Sequence, residues 1–198
     1  MTGFGALVAI FFAAIFTNNI LLTNYLGMCS FLGVSREMKT SVGLGGAVIF
    51  VMTMTSALNW VVNEYVLVPL DLVYLQYIIF IVVIAAFVQL VEMIVERVSE
   101  TLYAALGIFL PLITVNCAIL GVSLFMVIRE YTFGESLCYG AGSGVGWAVA
   151  IIAMAGIRER MRKSARVPKG LEGAGIALVI AGIMALGFMG FSGVMNLN

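Results

Sequence analysis

Apolar residues run almost unbroken through six stretches of this chain. They cover about Phe4–Gly27, Val42–Val62, Tyr77–Ile94, Leu102–Ile128, Leu137–Ile157 and Gly173–Val194, with short polar connections between them. Each is close to the ~20 residues that carry a helix across a ~30 Å hydrocarbon core. A membrane barrel would instead show ~10-residue strands of alternating polarity. The pattern predicts an all-α integral membrane protein with six transmembrane helices. The first stretch is too long for a signal-peptide core and has no basic residue before it, so it is expected to be a retained span.

Composition agrees with that reading. Hydrophobic residues make up 63% of the 198 and charged residues 10%, with a mean hydropathy of +1.14. Soluble domains carry about 25% charged residues. No connection is long enough for a soluble domain, so chemistry on a soluble substrate requires another subunit. The loops after spans one, three and five hold Arg36, Lys39, Arg97, Arg158, Arg160, Arg162, Lys163, Arg166 and Lys169, whereas those after spans two and four hold only Arg129. The positive-inside rule makes the first set cytoplasmic and puts both termini outside. The cluster from Arg158 to Lys169 is read as a topology anchor meeting anionic headgroups, with no nucleic-acid partner.

A seven-residue phrase occurs twice. Cys29-Ser30-Phe31-Leu32-Gly33-Val34-Ser35 returns as Cys117-Ala118-Ile119-Leu120-Gly121-Val122-Ser123. The copies are three spans apart, and an odd number of spans reverses direction through the membrane. Two inverted three-helix repeats are therefore expected within one membrane domain, residues 1–98 and 99–198. Gly43-Leu44-Gly45-Gly46-Ala47-Val48 in span two is echoed by Gly142-Ser143-Gly144-Val145-Gly146-Trp147-Ala148-Val149 in span five. Such glycines allow the close helix packing of membrane bundles.

Spans one and four differ from the rest. The first carries Thr17, Asn18, Asn19, Thr23 and Asn24 before Gly27 and Cys29; the fourth carries Gly107, Pro111, Thr114, Asn116, Cys117 and Gly121. Amide side chains are costly in hydrocarbon unless they face protein or a polar cavity. Proline removes a helical hydrogen bond. Both spans are expected to be broken into half-helices, with Cys29 and Cys117 brought together near the pseudo-two-fold axis. Asn24, Asn116, Gly27 and Gly121 are the expected surroundings of that site.

The chain has no histidine, which excludes His-ligated haem, a Rieske centre and most zinc or copper sites. Thiolates at membrane depth suit a soft metal or an iron–sulfur cluster. A [2Fe–2S] cluster needs four thiolates, and two symmetric cysteines predict a partner supplying two more. Buried cysteines acting as small hydrophobes are the alternative, and that reading fits Cys138, which has no counterpart in the first half. A disulfide would leave the polar half-helices without a purpose.

Leu26-Gly27-Met28-Cys29 and Gly107-Ile108-Phe109-Leu110-Pro111-Leu112-Ile113-Thr114-Val115-Asn116-Cys117-Ala118 resemble the NqrE/RnfA family of membrane subunits. Ala155-Gly156-Ile157-Arg158-Glu159-Arg160-Met161 and the run from Ala185 to Gly193 resemble it as well. The likeness covers essentially the whole chain. It implies a six-span subunit of the sodium-pumping NADH:quinone oxidoreductase (Nqr) or of the Rnf ferredoxin:NAD oxidoreductase, in the bacterial inner membrane. It also implies a homologous, oppositely oriented partner of the NqrD/RnfE kind, other subunits carrying flavins, and a [2Fe–2S] cluster shared between the pair. The family's cysteines fall on Cys29 and Cys117, and Cys138 matches no ligand. Met28, Val115, the Ser143–Trp147 segment and the Arg129–Phe133 segment are more similar to the Nqr branch. The Pro69–Leu75 segment is more similar to the Rnf branch, and the balance favours Nqr.

An electron crossing ~30 Å of hydrocarbon needs a buried relay. Charge added there in low dielectric costs several kcal/mol. Asn18, Asn19, Asn24, Asn116 and half-helix N-termini are expected to offset part of it, and an approaching Na+ more. Glu64, Asp71, Glu130 and Glu135 fall in outer loops. Gln89 and Glu92, a turn apart near Glu96 and Arg97, are the candidates for lining a cytoplasmic entry. No pair of carboxylates lies deep in a span. The competing class is a small secondary transporter, whose substrate the same asparagines would bind.

Overall fold

Long apolar runs without internal β-punctuation form helices because each residue adds one backbone bond to the ladder. The computed structural model describes residues 3–98, 110–164 and 173–190. These are helical, with no strand among the described residues. The helices are α1 (Gly3–Ile15), α2 (Met28–Val34), α3 (Met38–Val62), α4 (Gln76–Val98), α5 (Leu110–Thr114), α6 (Cys117–Ile128), α7 (Phe133–Ser164) and α8 (Ala174–Met189). Three helical stretches among the described residues are long and apolar enough to cross a membrane: Met38–Leu67, Val73–Ile94 and Phe133–Lys163. Shorter apolar helices cover Gly5–Ile15, Leu112–Ile128 and Ala174–Met189. Large apolar side chains also cover the outside, among them Phe12, Phe50, Ile81, Leu90, Ile183 and Leu186. A surface of this kind suits a hydrocarbon solvent or a protein partner rather than water.

Glycine sets how closely α7 packs. A Cβ at Gly142 would lie 2.8 Å from the Phe11 carbonyl oxygen, and one at Gly146 would lie 3.1 Å from the Ala14 carbonyl oxygen. On the other side, a Cβ at Gly144 would lie 2.9 Å from Ile49 Cα, and one at Gly140 would run into Ser56. The even-numbered glycines thus put α1 against one face of α7 and α3 against another. The small-residue pattern read from the sequence is spent on backbone approach. Trp147, Ile151 and Met154 of α7 then join Leu44, Val48 and Met52 of α3 and Ile119 and Met126 of α6 in a fully buried core.

The two ends of α7 differ chemically. Near its start, Trp60 donates its indole N–H to the Tyr131 carbonyl at 2.9 Å, and its ring meets Phe133 edge-on at 5.3 Å. The Arg129 guanidinium lies 5.3 Å from the Tyr139 ring centre. Aromatic residues of this kind mark the membrane–water boundary. At the far end, about 45 Å along a helix of this length, basic residues gather. There Arg158 donates to the Leu32 carbonyl at 3.1 Å and to Ser35 Oγ at 2.9 Å, and Arg162 donates to the Arg36 carbonyl at 2.7 Å. These cations therefore close the C-terminal end of α2, where carbonyls have no helical donors. The expected topology anchor is also a structural clamp, which spacing alone does not reveal. Arg166 and Lys169 lie outside the described residues.

Candidate functional site

The first and fourth apolar stretches are interrupted, each just before its cysteine. α1 stops at Ile15 and α2 begins at Met28. α5 stops at Thr114 and α6 begins at Cys117. The polar residues that mark these stretches in sequence make the interruptions.

Asn19 holds the first break. It is fully buried and uses its whole hydrogen-bonding capacity on backbone. Its amide donates to the Ile15 carbonyl at 3.0 Å and to the Gly146 carbonyl at 2.8 Å. Its oxygen accepts from the Leu21 and Leu22 amides at 3.1 and 3.3 Å. Asn19 therefore closes the end of α1, starts the turn that follows and ties both to α7. This corrects the expectation that it faces developing charge. The break continues through Tyr25, a non-glycine residue at φ 55°, and Gly27 at φ 86°. Left-handed backbone at a non-glycine residue costs about 1–2 kcal/mol.

Asn116 makes the second break. At φ −74° and ψ 111° its backbone leaves the helix, and its side-chain oxygen accepts from the Ala118 amide at 3.0 Å. This is an N-cap, the position asparagine favours. Pro111, expected to interrupt the span, lies in α5, whose last residue is Thr114. Gly107 and the start of the fourth stretch lie outside the described residues.

The two breaks meet. The Gly27 amide donates to the Cys117 sulfur at 3.0 Å. The Asn116 amide donates to Ser30 Oγ at 3.2 Å, and Ser30 Oγ donates to the Gly27 carbonyl at 3.1 Å. Cys117 is thereby fixed two residues from Cys29, although the pair are 88 positions apart in sequence. Gly27 is hemmed in: a Cβ there would lie 2.6 Å from the Trp147 indole nitrogen and 3.0 Å from both Asn116 Oδ1 and Ala118 Cβ. Gly121 makes room for the first break, since a Cβ there would lie 2.5 Å from Leu26 Cδ1. Asn24 is exposed beside Thr23 and Tyr25.

Both cysteines of the repeated phrase are exposed and unbridged, as is neighbouring Val115, whereas Ser30, Phe31, Ala118 and Ile119 are buried. Free cysteine is usually among the most buried residues. Here two thiols are presented outward at the meeting point of two broken helices. Cys138 is partly buried in the first turns of α7, away from the phrase. Among the described residues no group of three or more ligating side chains gathers. Any metal group held at the outward pair must complete its coordination elsewhere.

Sequence reasoning missed Ser30, Trp147 and Arg158. Ser30 and Ser35 sat inside the repeated phrase, and Trp147 is the one bulky residue in its glycine-rich segment, so signals existed for these. Nothing in the local sequence pairs Arg158 with Leu32.

The fold and site define an all-helical chain, with helices long and apolar enough to cross a membrane, that presents two unbridged thiols outward. The family described as Rnf-Nqr subunit, membrane protein, matches residues 7–195, and the chain belongs to that family. It is 54% identical over 187 residues to one of the subunits of the Na(+)-translocating ferredoxin:NAD(+) oxidoreductase complex of Acetobacterium woodii, covering 94% of this chain and 97% of that one. It is 55% identical over 192 residues to one of the subunits of the Na(+)-translocating NADH-quinone reductase of Dichelobacter nodosus, covering 91% and 94%. Against the corresponding protein of Nitrosomonas europaea the identity is 50% over 199 residues, covering 96% and 98%.

Proposed function

We propose that this chain is an electron-relay subunit of a sodium-translocating respiratory complex. In this reading it holds half of a [2Fe–2S] cluster through Cys29 and Cys117, and an oppositely oriented homologous subunit holds the other half. The observation that carries the reading is the outward presentation of two unbridged cysteines where two helix breaks meet.

The residues present suit such a group. Cys29 and Cys117 offer two soft ligands, and the Gly27 amide stands ready as a donor to sulfur. Bound there, a [2Fe–2S] cluster supplies one-electron transfer. The chain does the rest: Asn19, Asn116, Ser30 and Arg158 hold the half-helices rigidly, and the apolar core around Trp147 keeps water out. Cys117 is the first residue of a twelve-residue helix, where the helix dipole favours negative charge.

Six spans in two inverted repeats, with both termini outside, complete the reading. Its support is a pairing that crosses the repeats. Ser35, which closes the first phrase, accepts from Arg158 of α7, and Ser123, which closes the second, accepts from Asn59 of α3 at 2.7 Å. Each phrase is thus latched by the following helix of the other repeat. Ion coupling in this reading links Na+ entry to arrival of the electron, and quinone and NAD chemistry belongs to other subunits.

The Nqr assignment rests on the Dichelobacter nodosus and Nitrosomonas europaea relatives. The Acetobacterium woodii relative supports the Rnf complex equally well by identity. Iron and acid-labile sulfide in the purified complex test the relay reading in either case. Two of each per complex lost on Cys29→Ala are expected. A stable, iron-free pair of subunits contradicts the reading and favours a transporter.

A further inference from the structure

We infer that Gly27 is a positioning residue whose backbone amide, locked against Trp147, tunes the reduction potential of the group held by Cys117. The inference rests on the cluster reading above and goes beyond ligand identity.

The geometry supplies a donor that only this backbone can give. At φ 86° the Gly27 N–H points at the Cys117 sulfur, 3.0 Å away. Three atoms close on the vacant Cβ position, from Trp147, Asn116 and Ala118, so no larger side chain fits without moving the turn. Trp147 is wholly buried, and its indole N–H has no hydrogen-bond partner among the described residues. A buried, unpaired N–H costs about 1–3 kcal/mol, so packing rather than hydrogen bonding keeps the indole there. Its place against Gly27 covers the inner side of the N–H···S contact, whose sulfur faces outward. The Gly27 carbonyl is held as well, accepting from Ser30 Oγ and from the Phe31 amide, each at 3.1 Å.

A sulfur ligand gains negative charge when its cluster is reduced, so an N–H donated to it favours the reduced form and raises the potential. The donation is one-sided: hydrogen bonds among the described residues give Cys117 this donor and show none for Cys29.

The test uses the whole complex, isotopically labelled with 15N-glycine, reduced and examined by pulsed EPR alongside a redox titration. A 15N coupling to the reduced cluster is expected in the wild type. Gly27→Ala is expected to abolish the coupling and lower the midpoint potential while the cluster signal persists. Trp147→Ala, which keeps glycine and removes the wall, is expected to weaken the coupling and lower the potential by less, and it serves if Gly27→Ala does not assemble. A wild-type cluster signal without glycine coupling overturns the inference alone, as does a coupling and potential unchanged in these variants. Absence of any [2Fe–2S] signal in the intact wild-type complex overturns the cluster reading and this inference with it.

Discussion

Gly27 and Cys117, 90 residues apart, are joined by an amide-to-sulfur hydrogen bond of 3.0 Å. The bond is possible because two helices stop short, one at Ile15 and one at Thr114, and their restarted segments meet. The contact belongs to neither half of the chain alone. It makes the outward cysteine pair a product of tertiary packing, and the predictions below follow from that.

Asn19 is the most exacting polar residue in the first break. Asn19→Ala leaves the Leu21 and Leu22 amides without their side-chain partner in a buried setting and removes the tie to the Gly146 carbonyl. A destabilisation of at least about 2 kcal/mol is expected, since each such group costs about 1–3 kcal/mol. Thermal unfolding of the purified complex in detergent measures it. Ser123→Ala, which leaves one buried amide, that of Asn59, without its partner, is expected to cost less, about 1 kcal/mol. Equal effects from the two would contradict the account of the break.

Asn116 works through its cap and its link to Ser30. Asn116→Ser keeps a capping oxygen, whereas Asn116→Ala keeps neither interaction; loss of a cap costs about 1 kcal/mol. The serine variant is expected to assemble near wild-type levels and the alanine variant to lose assembled complex. Size-exclusion yield after co-expression separates the two.

Glycines in this chain divide into two kinds. A Cβ at Gly33 meets nothing within 4 Å, so Gly33→Ala is expected to be tolerated or to stabilise α2 by about 0.5–1 kcal/mol. Gly144→Ala drives a methyl group to within 2.9 Å of Ile49 Cα, and it is expected to separate α7 from α3 and lower stability by about 1–3 kcal/mol. Parallel melting curves of the two variants decide the point.

If sodium entry offsets the charge of the added electron, the cluster's midpoint potential must depend on sodium. A titration in rising Na+ is expected to move it upward, approaching about 59 mV per decade for one ion per electron. A potential unaffected by Na+ removes direct coupling at this subunit.

Much of this was legible in the sequence because the signals were long or doubled. Apolar runs gave the helical class, and the charge asymmetry picked out one end of α7. The repeated phrase singled out Cys29 and Cys117, and the density of asparagine pointed to the breaks. What escaped was where each polar group spends its hydrogen bonds. Asn19 and Asn116 look alike as polar residues in hydrocarbon, and both turn inward to cap backbone instead of facing a cavity. The clamp of Arg158 on α2 spans 126 positions to Leu32, and no local pattern encodes a contact at that distance.

The central claim is that Cys29 and Cys117 carry one side of a shared [2Fe–2S] cluster. Low-temperature EPR of the dithionite-reduced complex tests it most directly, on wild type beside Cys29→Ala, Cys117→Ala and Cys138→Ala, each checked for assembly by size exclusion. A [2Fe–2S] signal in wild type and Cys138→Ala that vanishes in the other two assembled variants is the predicted result. A signal that survives in either Cys29→Ala or Cys117→Ala, or an assembled wild-type complex without one, would contradict the account.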